Sequence, residues 1–141
     1  MAQFIVKETE NKYEAIKELQ NTHLDATITV GTENTNAINV AVQLKSDKAQ
    51  AAIAARRVLD VYISGVNTGA DIVGTAPNGG VAIGTNGKIL ASVVANKYFK
   101  VVCNTSGQFD LTLTDSGTPT FYLVVVMPNG RLVISGAITF A

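Results

Sequence analysis

The fold is decided by residues 109–141, which read FDLTLTDSGTPTFYLVVVMPNGRLVISGAITFA. Apolar and polar residues alternate over 109–114, so every second side chain faces the same way, as in a half-buried strand. Residues 121–127 are apolar on both faces, and a Pro-Asn-Gly turn at 128–130 leads into an equally apolar return. This ending predicts antiparallel β-structure whose last hairpin is covered on both faces.

The same two-residue period recurs upstream. It predicts strands over 26–30, 38–44, 58–64 (with a start from about Ile53), 81–83, 88–90 and 98–104. Asn86-Gly87 predicts a type I′ hairpin between two of these strands, because both residues of that turn need positive φ. Thr105-Ser106-Gly107 predicts another hairpin, between 98–104 and 109–114. Residues 65–80 hold five of the twelve glycines and predict a long surface loop.

The first 25 residues have a different character, since eight of the twenty-two charged residues lie there and only three lie in the last 41. Residues from about Thr9 to His23 are rich in Glu, Lys, Ala and Leu, which predicts a short helix. Its apolar face is thin, with Tyr13 and Ile16 on one seam. Because short isolated helices are marginal in water, we expect residues 1–25 to be an arm that packs on something else. A capping helix and an oligomer seam or anchor are both open.

The chain is predicted to be all-β, with an antiparallel β-sandwich over 26–141 preceded by the helical arm over 1–25. Seven or eight strands at roughly 8–12-residue spacing fit an Ig-like or jelly-roll-like architecture. A formal net charge of zero leaves no bulk field for nucleic acid. The sequence has neither an apolar run of about eighteen residues nor a signal-peptide pattern, so we expect no membrane contact and synthesis in the cytosol.

The residues that usually carry catalysis are scarce. His23 is the one histidine and lies outside the predicted sandwich, while Cys103 lies in an apolar strand and is expected to be a buried, inert thiol. Residues 84–89 have the wrong spacing for a phosphate-binding loop. We therefore predict no catalytic residue, no metal site and no cofactor, and we expect the chain not to be an enzyme.

The shortage of charge near the C-terminus predicts either core strands or a surface that a neighbour covers. The candidate assembly contacts are the apolar residues of the arm and the last hairpin: Phe4, Tyr13, Ile16, Phe121, Leu123, Val125, Leu132, Ile134 and Phe140. The alternative is a sugar-binding surface on the 65–80 loop, formed by Tyr62, Asn67 and Asp71. In that alternative Tyr62 is an exposed ring that stacks on a sugar, with Asp60 and Ser64 facing outward beside it.

Three stretches, 38–44 (INVAVQL), 76–87 (APNGGVAIGTNG) and 109–141, resemble small β-sandwich structural proteins encoded among the virion genes of tailed bacteriophages. These proteins are typically Ig-like or similar β-sandwich head decoration and head-fibre proteins, and the resemblance covers about half of the chain without the arm. It implies a protein of the capsid exterior, made in the host cytoplasm and bound in many copies to the major capsid protein or another virion protein. A homo-oligomer, a trimer among the options, fits this role. The alternative is a fibre tip that binds a host receptor or surface glycan.

Overall fold

The computed structural model describes residues 24–141, which form two antiparallel sheets packed face to face around one core. The all-β, sandwich-like prediction is confirmed, although ten strands form where seven or eight were predicted. The predicted helical arm lies outside the described residues. The strands are β1 Leu24–Val30, β2 Ala37–Ser46, β3 Val58–Ser64, β4 Val81–Ile83, β5 Lys88–Val94, β6 Tyr98–Val102, β7 Gln108–Thr114, β8 Thr120–Val126, β9 Leu132–Ile134 and β10 Ile138–Thr139.

The smaller sheet has the strand order β1-β2-β7-β4, and the larger sheet has the order β10-β8-β3-β6-β5. Strand β9 also pairs with β8, so that Ile134 faces Val124 and Ile138 faces Phe121. Strands β9 and β10 therefore act as one interrupted edge strand beside β8. The pairing of the predicted last hairpin is confirmed, and β8 lies in the interior of the larger sheet, but β9 at the edge is partly exposed and not covered on both faces as predicted.

The core lies between the sheets and follows the two-residue period. Val40 and Leu111 of the smaller sheet and Val61 and Leu123 of the larger sheet have no exposed surface. Burial of each such side chain stabilises the fold by roughly 1.5–3 kcal/mol. The predicted strands over 26–30 and 38–44 pair as a regular hairpin, and β1 begins at Leu24, two residues before the predicted start of the sandwich.

Two predicted hairpins are wrong, because their strands belong to different sheets. Strand β4 pairs with β7 in the smaller sheet, whereas β5 pairs with β6 in the larger one. The Asn86-Gly87 turn thus crosses between the sheets, and only Gly87 of this pair has positive φ. Strands β6 and β7 are likewise divided between the sheets, around a turn closed by the Asn104 amide, which donates to the Gln108 carbonyl at 2.9 Å. A local turn signal specifies a reversal of the chain, but not which strand pairs with which.

The connection before β3 also differs from the prediction, since β3 begins at Val58 and not near Ile53. The amide of Ile53 donates instead to the Leu44 carbonyl at 3.0 Å, which holds this alanine-rich stretch against the end of β2. The long loop over 65–80 is confirmed, because β3 ends at Ser64 and β4 begins at Val81. No helix within 24–141 is long and apolar enough to cross a membrane.

Candidate contact surface

The large exposed apolar side chains of residues 24–141 are unevenly distributed between the two sheets. Seven large hydrophobic residues of the described chain are exposed, and each belongs to the larger sheet or to the loop that follows β3: Val58, Val66, Ile72, Leu90, Val93, Val94 and Leu132. None of them lies on a strand of the smaller sheet. The larger sheet is therefore where a contact with another molecule would bury apolar surface.

Strand β5, at the edge of the larger sheet, is apolar in composition but exposed over almost its whole length. Leu90 and Val93 are 56% and 57% exposed, the two highest values among the large hydrophobic residues. The pairing with β6 shifts register between Ile89 and Ala91 and again between Ser92 and Val94. Leu90 and Val93 are thus the extra residues of two bulges, which places their side chains beyond the regular pattern of the sheet.

The two bulges determine what kind of contact this edge can make. A bulge interrupts the ladder of backbone hydrogen bonds and increases the local twist, and natural sheets use bulges to prevent another strand from pairing at an edge. The backbone N–H and C=O groups of β5 would be out of register with those of a regular strand added beside it. A partner would instead contact the projecting side chains of Leu90, Val93 and Val94.

The outer face of the larger sheet is partly covered by the loop after β3. Gly69 lies over three neighbouring residues of this face, since a Cβ on it would come within 3.2–3.3 Å of Val124, Ile134 and the Tyr62 hydroxyl. Its φ of 68° is one that glycine adopts without strain. The Tyr62 hydroxyl donates to the Gly69 carbonyl, which ties the loop to β3.

Tyr62 was predicted to be exposed, but the loop covers it and it is only 9% exposed. Its ring stacks on Tyr98, with the ring centroids 6.2 Å apart. Burial, followed by the charge of Asp71, raises the pKa of the Tyr62 hydroxyl. Ser64, which was also expected to face solvent, is fully buried. No sugar can stack on Tyr62 in this arrangement, so the alternative site loses its aromatic platform.

Two other residues of that alternative, Asn67 and Asp71, are exposed in the loop. The Asp71 carboxylate accepts hydrogen bonds from the Ser64 hydroxyl at 3.0 Å and from the Gly65 amide at 3.3 Å. Its contacts therefore hold the start of the loop in place, as an aspartate commonly does in a turn.

The candidate assembly residues of the last hairpin are divided between core and surface. Phe121, Leu123, Val125 and Phe140 are each 3% exposed or less, so the chain's own core explains their lack of charge. This is a correction, because side chains buried inside the chain are not available to a neighbour. Leu132 is 40% exposed, and Ile134 is half-buried beneath the loop. Phe4, Tyr13 and Ile16 lie outside the described residues.

A groove of about 310 Å³ opens beside the β8–β9 turn. Its apolar wall includes Val58, Val126 and Pro128. Its polar wall is the Asp60–Lys100 ion pair, with 3.0 Å between Oδ1 and Nζ. The hydrogen bond and the negative charge from Asp60 raise the pKa of Lys100. Because this pair is partly exposed, its contribution to stability is small.

The outer face of the smaller sheet carries polar groups that are already satisfied. Asp110 is 5% exposed because residues 84–86 fold over it. Its carboxylate accepts from the Asn39 amide group at 2.7 Å, the Thr85 amide at 3.0 Å and the Asn86 amide at 2.6 Å. A Cβ on Gly84 would lie 1.8 Å from this carboxylate, which explains the glycine there. The arrangement engages both oxygens of the carboxylate and fixes the crossover from β4 to β5.

Within residues 24–141, the groups that could support thiol or metal chemistry are the buried Cys103 and acidic residues that form no cluster of three. Cys103 is 1% exposed, and burial raises the pKa of its thiol, which lowers the fraction of reactive thiolate. Within residues 24–141, no group of three or more His, Cys, Asp or Glu residues is placed to hold a metal ion. His23 lies outside that range.

No protein family, curated protein or solved structure matches this chain.

Proposed function

We propose that the chain is a non-enzymatic structural protein that binds other proteins through the exposed side chains of β5. The observation that carries this proposal is the exposure of Leu90, Val93 and Val94 on a doubly bulged edge strand. Large apolar side chains close together on a surface are a common mark of a protein contact. Strand β5 has one charged residue, Lys88, so a partner can cover it with little desolvation of charge.

The strand order supports an Ig-like form of the sandwich. Constant-type immunoglobulin domains have strands A, B, E and D in one sheet and G, F and C in the other. The order β1-β2-β7-β4 corresponds to the first set, and the interrupted strand β9/β10 followed by β8 and β3 corresponds to the second. Strands β5 and β6 extend the second sheet, and they are inserted between the equivalents of D and E. The proposed contact strand is therefore an addition to the common core.

The specific form of this function that we propose is a head decoration or head-fibre protein on the capsid exterior of a tailed bacteriophage. It rests on the resemblance of residues 38–44, 76–87 and 109–141 to such proteins. The partner would be the major capsid protein or another virion protein, and the chain would act in many copies, with self-association into a homo-oligomer. A small apolar contact suits this role, because repetition in symmetric copies gains avidity while each contact stays weak.

Co-sedimentation of the full-length chain with capsids that lack it tests the proposal. We expect the native chain to bind, and Leu90→Ser combined with Val93→Ser to weaken binding by roughly 10–100-fold, as the loss of two central apolar contacts does. Thr27→Ser combined with Thr29→Ser changes the exposed residues of β1 and is the matched control, with binding unchanged. A native chain that does not sediment with capsids would refute the virion role. A double β5 variant that binds as well as the native chain would refute the contact.

A further inference from the structure

The chain contains three Asn-Gly pairs, at 78–79, 86–87 and 129–130. Such a pair is chemically reactive, because glycine has no side chain to keep its backbone nitrogen away from the carboxamide of the preceding asparagine. For the two groups to react, the carboxamide carbon must swing onto that nitrogen. Contacts that hold either group therefore slow the reaction, and the three pairs differ in these contacts.

The first pair is held by residues 114–116. The Asn78 carboxamide donates to the Ser116 hydroxyl at 3.0 Å and accepts from the Ser116 amide at 3.1 Å. The Gly79 amide donates to the Thr114 carbonyl at 2.8 Å. Both reacting groups of this pair are thus engaged by a part of the chain that is distant in sequence.

The second pair lies in the crossover from β4 to β5. The Asn86 amide donates to the Asp110 carboxylate at 2.6 Å. Gly87 is closely packed, since a Cβ on it would lie 2.7 Å from the Phe109 Cβ and 2.7 Å from the Val102 carbonyl oxygen. Phe109 belongs to the smaller sheet and Val102 to the larger one, so the backbone here could swing only by displacing both sheets.

The third pair lies in the exposed β8–β9 turn, and its hydrogen bonds are local to that turn. The Asn129 side-chain oxygen accepts from the Arg131 amide at 3.0 Å, and the Gly130 amide donates to the Met127 carbonyl at 2.8 Å. Apart from its chain neighbours, no described residue has a heavy atom within 4 Å of a Cβ placed on Gly130. An exposed turn opens at little cost in free energy, whereas a segment fixed to both sheets opens only with part of the fold.

We infer that Asn129 is a site of spontaneous deamidation in the folded protein and that Asn78 and Asn86 are protected. The Gly130 nitrogen loses its proton to hydroxide and attacks Cγ of Asn129, which forms a C–N bond. The bond from Cγ to Nδ2 breaks, and the released group takes up a proton from water and leaves as ammonia. Water then opens the cyclic succinimide at either carbonyl, which leaves aspartate or isoaspartate. Water is the only co-reactant.

The product changes both the charge and the length of the turn. Either form carries a negative charge where the carboxamide was neutral, so the formal net charge of the chain falls from zero to minus one. This carboxylate lies two residues from Arg131, whose guanidinium already pairs with Asp25 and Asp47. Isoaspartate also adds a methylene to the main chain within the turn, which should weaken the pairing of β8 with β9.

Mass spectrometry of the full-length chain tests the inference. The folded chain is incubated at mildly alkaline pH, and peptide mapping follows the mass gain of amide-to-acid conversion at each pair. We expect Asn129 to react at least about tenfold faster than Asn78 or Asn86, which corresponds to about 1.4 kcal/mol in the free energy of opening. In urea the three rates should converge, because the contacts are lost. Asn129→Gln is the matched control and should abolish the gain at this pair, since glutamine forms the larger ring slowly.

Two results would overturn the inference. Equal rates at the three pairs in the folded chain would show that the contacts of Asn78 and Asn86 give no protection. Reaction at Asn129 in urea but not in the folded chain would show that the turn does not open. Circular dichroism checks that the chain stays folded during incubation. Binding through β5 has no part in these rates, so the two proposals are judged separately.

Discussion

The two sheets of the sandwich differ in how much apolar side-chain surface they expose to solvent. The outer face of the smaller sheet carries Thr27, Thr29 and Asn39, and a buried carboxylate there, Asp110, has three donors. The larger sheet exposes Leu90 and Val93 at one side and other apolar side chains near the β8–β9 turn. No strand of the smaller sheet carries a large exposed hydrophobic side chain, whereas the larger sheet exposes apolar surface that a contact could bury. We therefore expect the proposed contact with a partner to use the larger sheet.

On the smaller sheet, the largest effect on stability is expected at Asp110. Replacing it with alanine leaves the amides of Thr85 and Asn86 without their acceptor, whereas the Asn39 amide group keeps the Thr112 hydroxyl at 3.1 Å. Because each donor that loses its acceptor costs about 1–3 kcal/mol when buried and these two are partly buried, Asp110→Ala should lower the free energy of unfolding by roughly 2 kcal/mol. Urea denaturation measures this, with Thr27→Ser as the control. A loss of less than about 1 kcal/mol would show that the carboxylate does not hold the crossover.

On the larger sheet, substitutions of Tyr62 distinguish a structural role of this residue from a role in sugar binding. Tyr62→Phe keeps the ring and removes one hydrogen bond to the Gly69 carbonyl, so we expect a loss of about 1 kcal/mol. Tyr62→Ala also leaves a cavity beneath the loop and should cost about 3–5 kcal/mol. Urea denaturation measures both of these losses in the free energy of unfolding. Should Tyr62→Ala leave stability unchanged and weaken sugar binding instead, the ring would be an exposed platform after all.

A smaller, pH-dependent effect is expected at Asp25, where β1 meets the β8–β9 turn. Burial alone would raise its pKa, but hydrogen bonds from Ala26 and Gln50 and the charges of Arg131 and Lys45 bring it below the ordinary 3.8. A carboxyl whose pKa is lowered by folding contributes stability above its unfolded pKa, and this stability is lost as pH falls through the folded pKa. Asp25→Asn should therefore destabilise the chain by about 1–2 kcal/mol at pH 7.

The pH series checks the cause of that effect. The difference between native chain and Asp25→Asn should shrink below the unfolded pKa of 3.8 and disappear at lower pH, because the native carboxyl is then neutral as well. A difference that stays constant from neutral to strongly acidic pH would mean that charge plays no part.

The smallest effect on stability belongs to β5. Leu90→Ser and Val93→Ser replace side chains that are more than half exposed, so each should change the free energy of unfolding by less than about 0.5 kcal/mol. The same substitutions should impair assembly. A loss of several kcal/mol on denaturation would show that these residues belong to the core of the fold.

Much of the fold can be predicted from the sequence because alternation reports burial directly. Val40, Val42, Leu111 and Leu113 follow that period and are all buried. The sheet to which a strand belongs cannot be predicted in this way. Asn86-Gly87 specifies a turn, whereas the pairing of β4 with β7 depends on residues distant in the sequence.

The exposure of β5, on which the proposed contact rests, could not be predicted for a related reason. Residues 90–94 read LASVV, and the spacing of Leu90, Val93 and Val94 breaks the two-residue period. The break in the period reflects the two bulges. From the sequence alone, however, it indicates only an irregular strand and does not indicate that the strand is exposed. The burial of Tyr62 could not be predicted either, because a loop that begins after β3 returns over it.

The most direct measurement compares thiol labelling at Leu90→Cys on β5 with labelling at Ala41→Cys on the smaller sheet, in the free chain and on the capsid. We expect capsid binding to slow labelling at Leu90→Cys at least about tenfold and to leave the labelling rate at Ala41→Cys unchanged. Protection of Ala41→Cys with Leu90→Cys still labelled at its free rate would contradict it, since the smaller sheet would then be the surface that assembly covers.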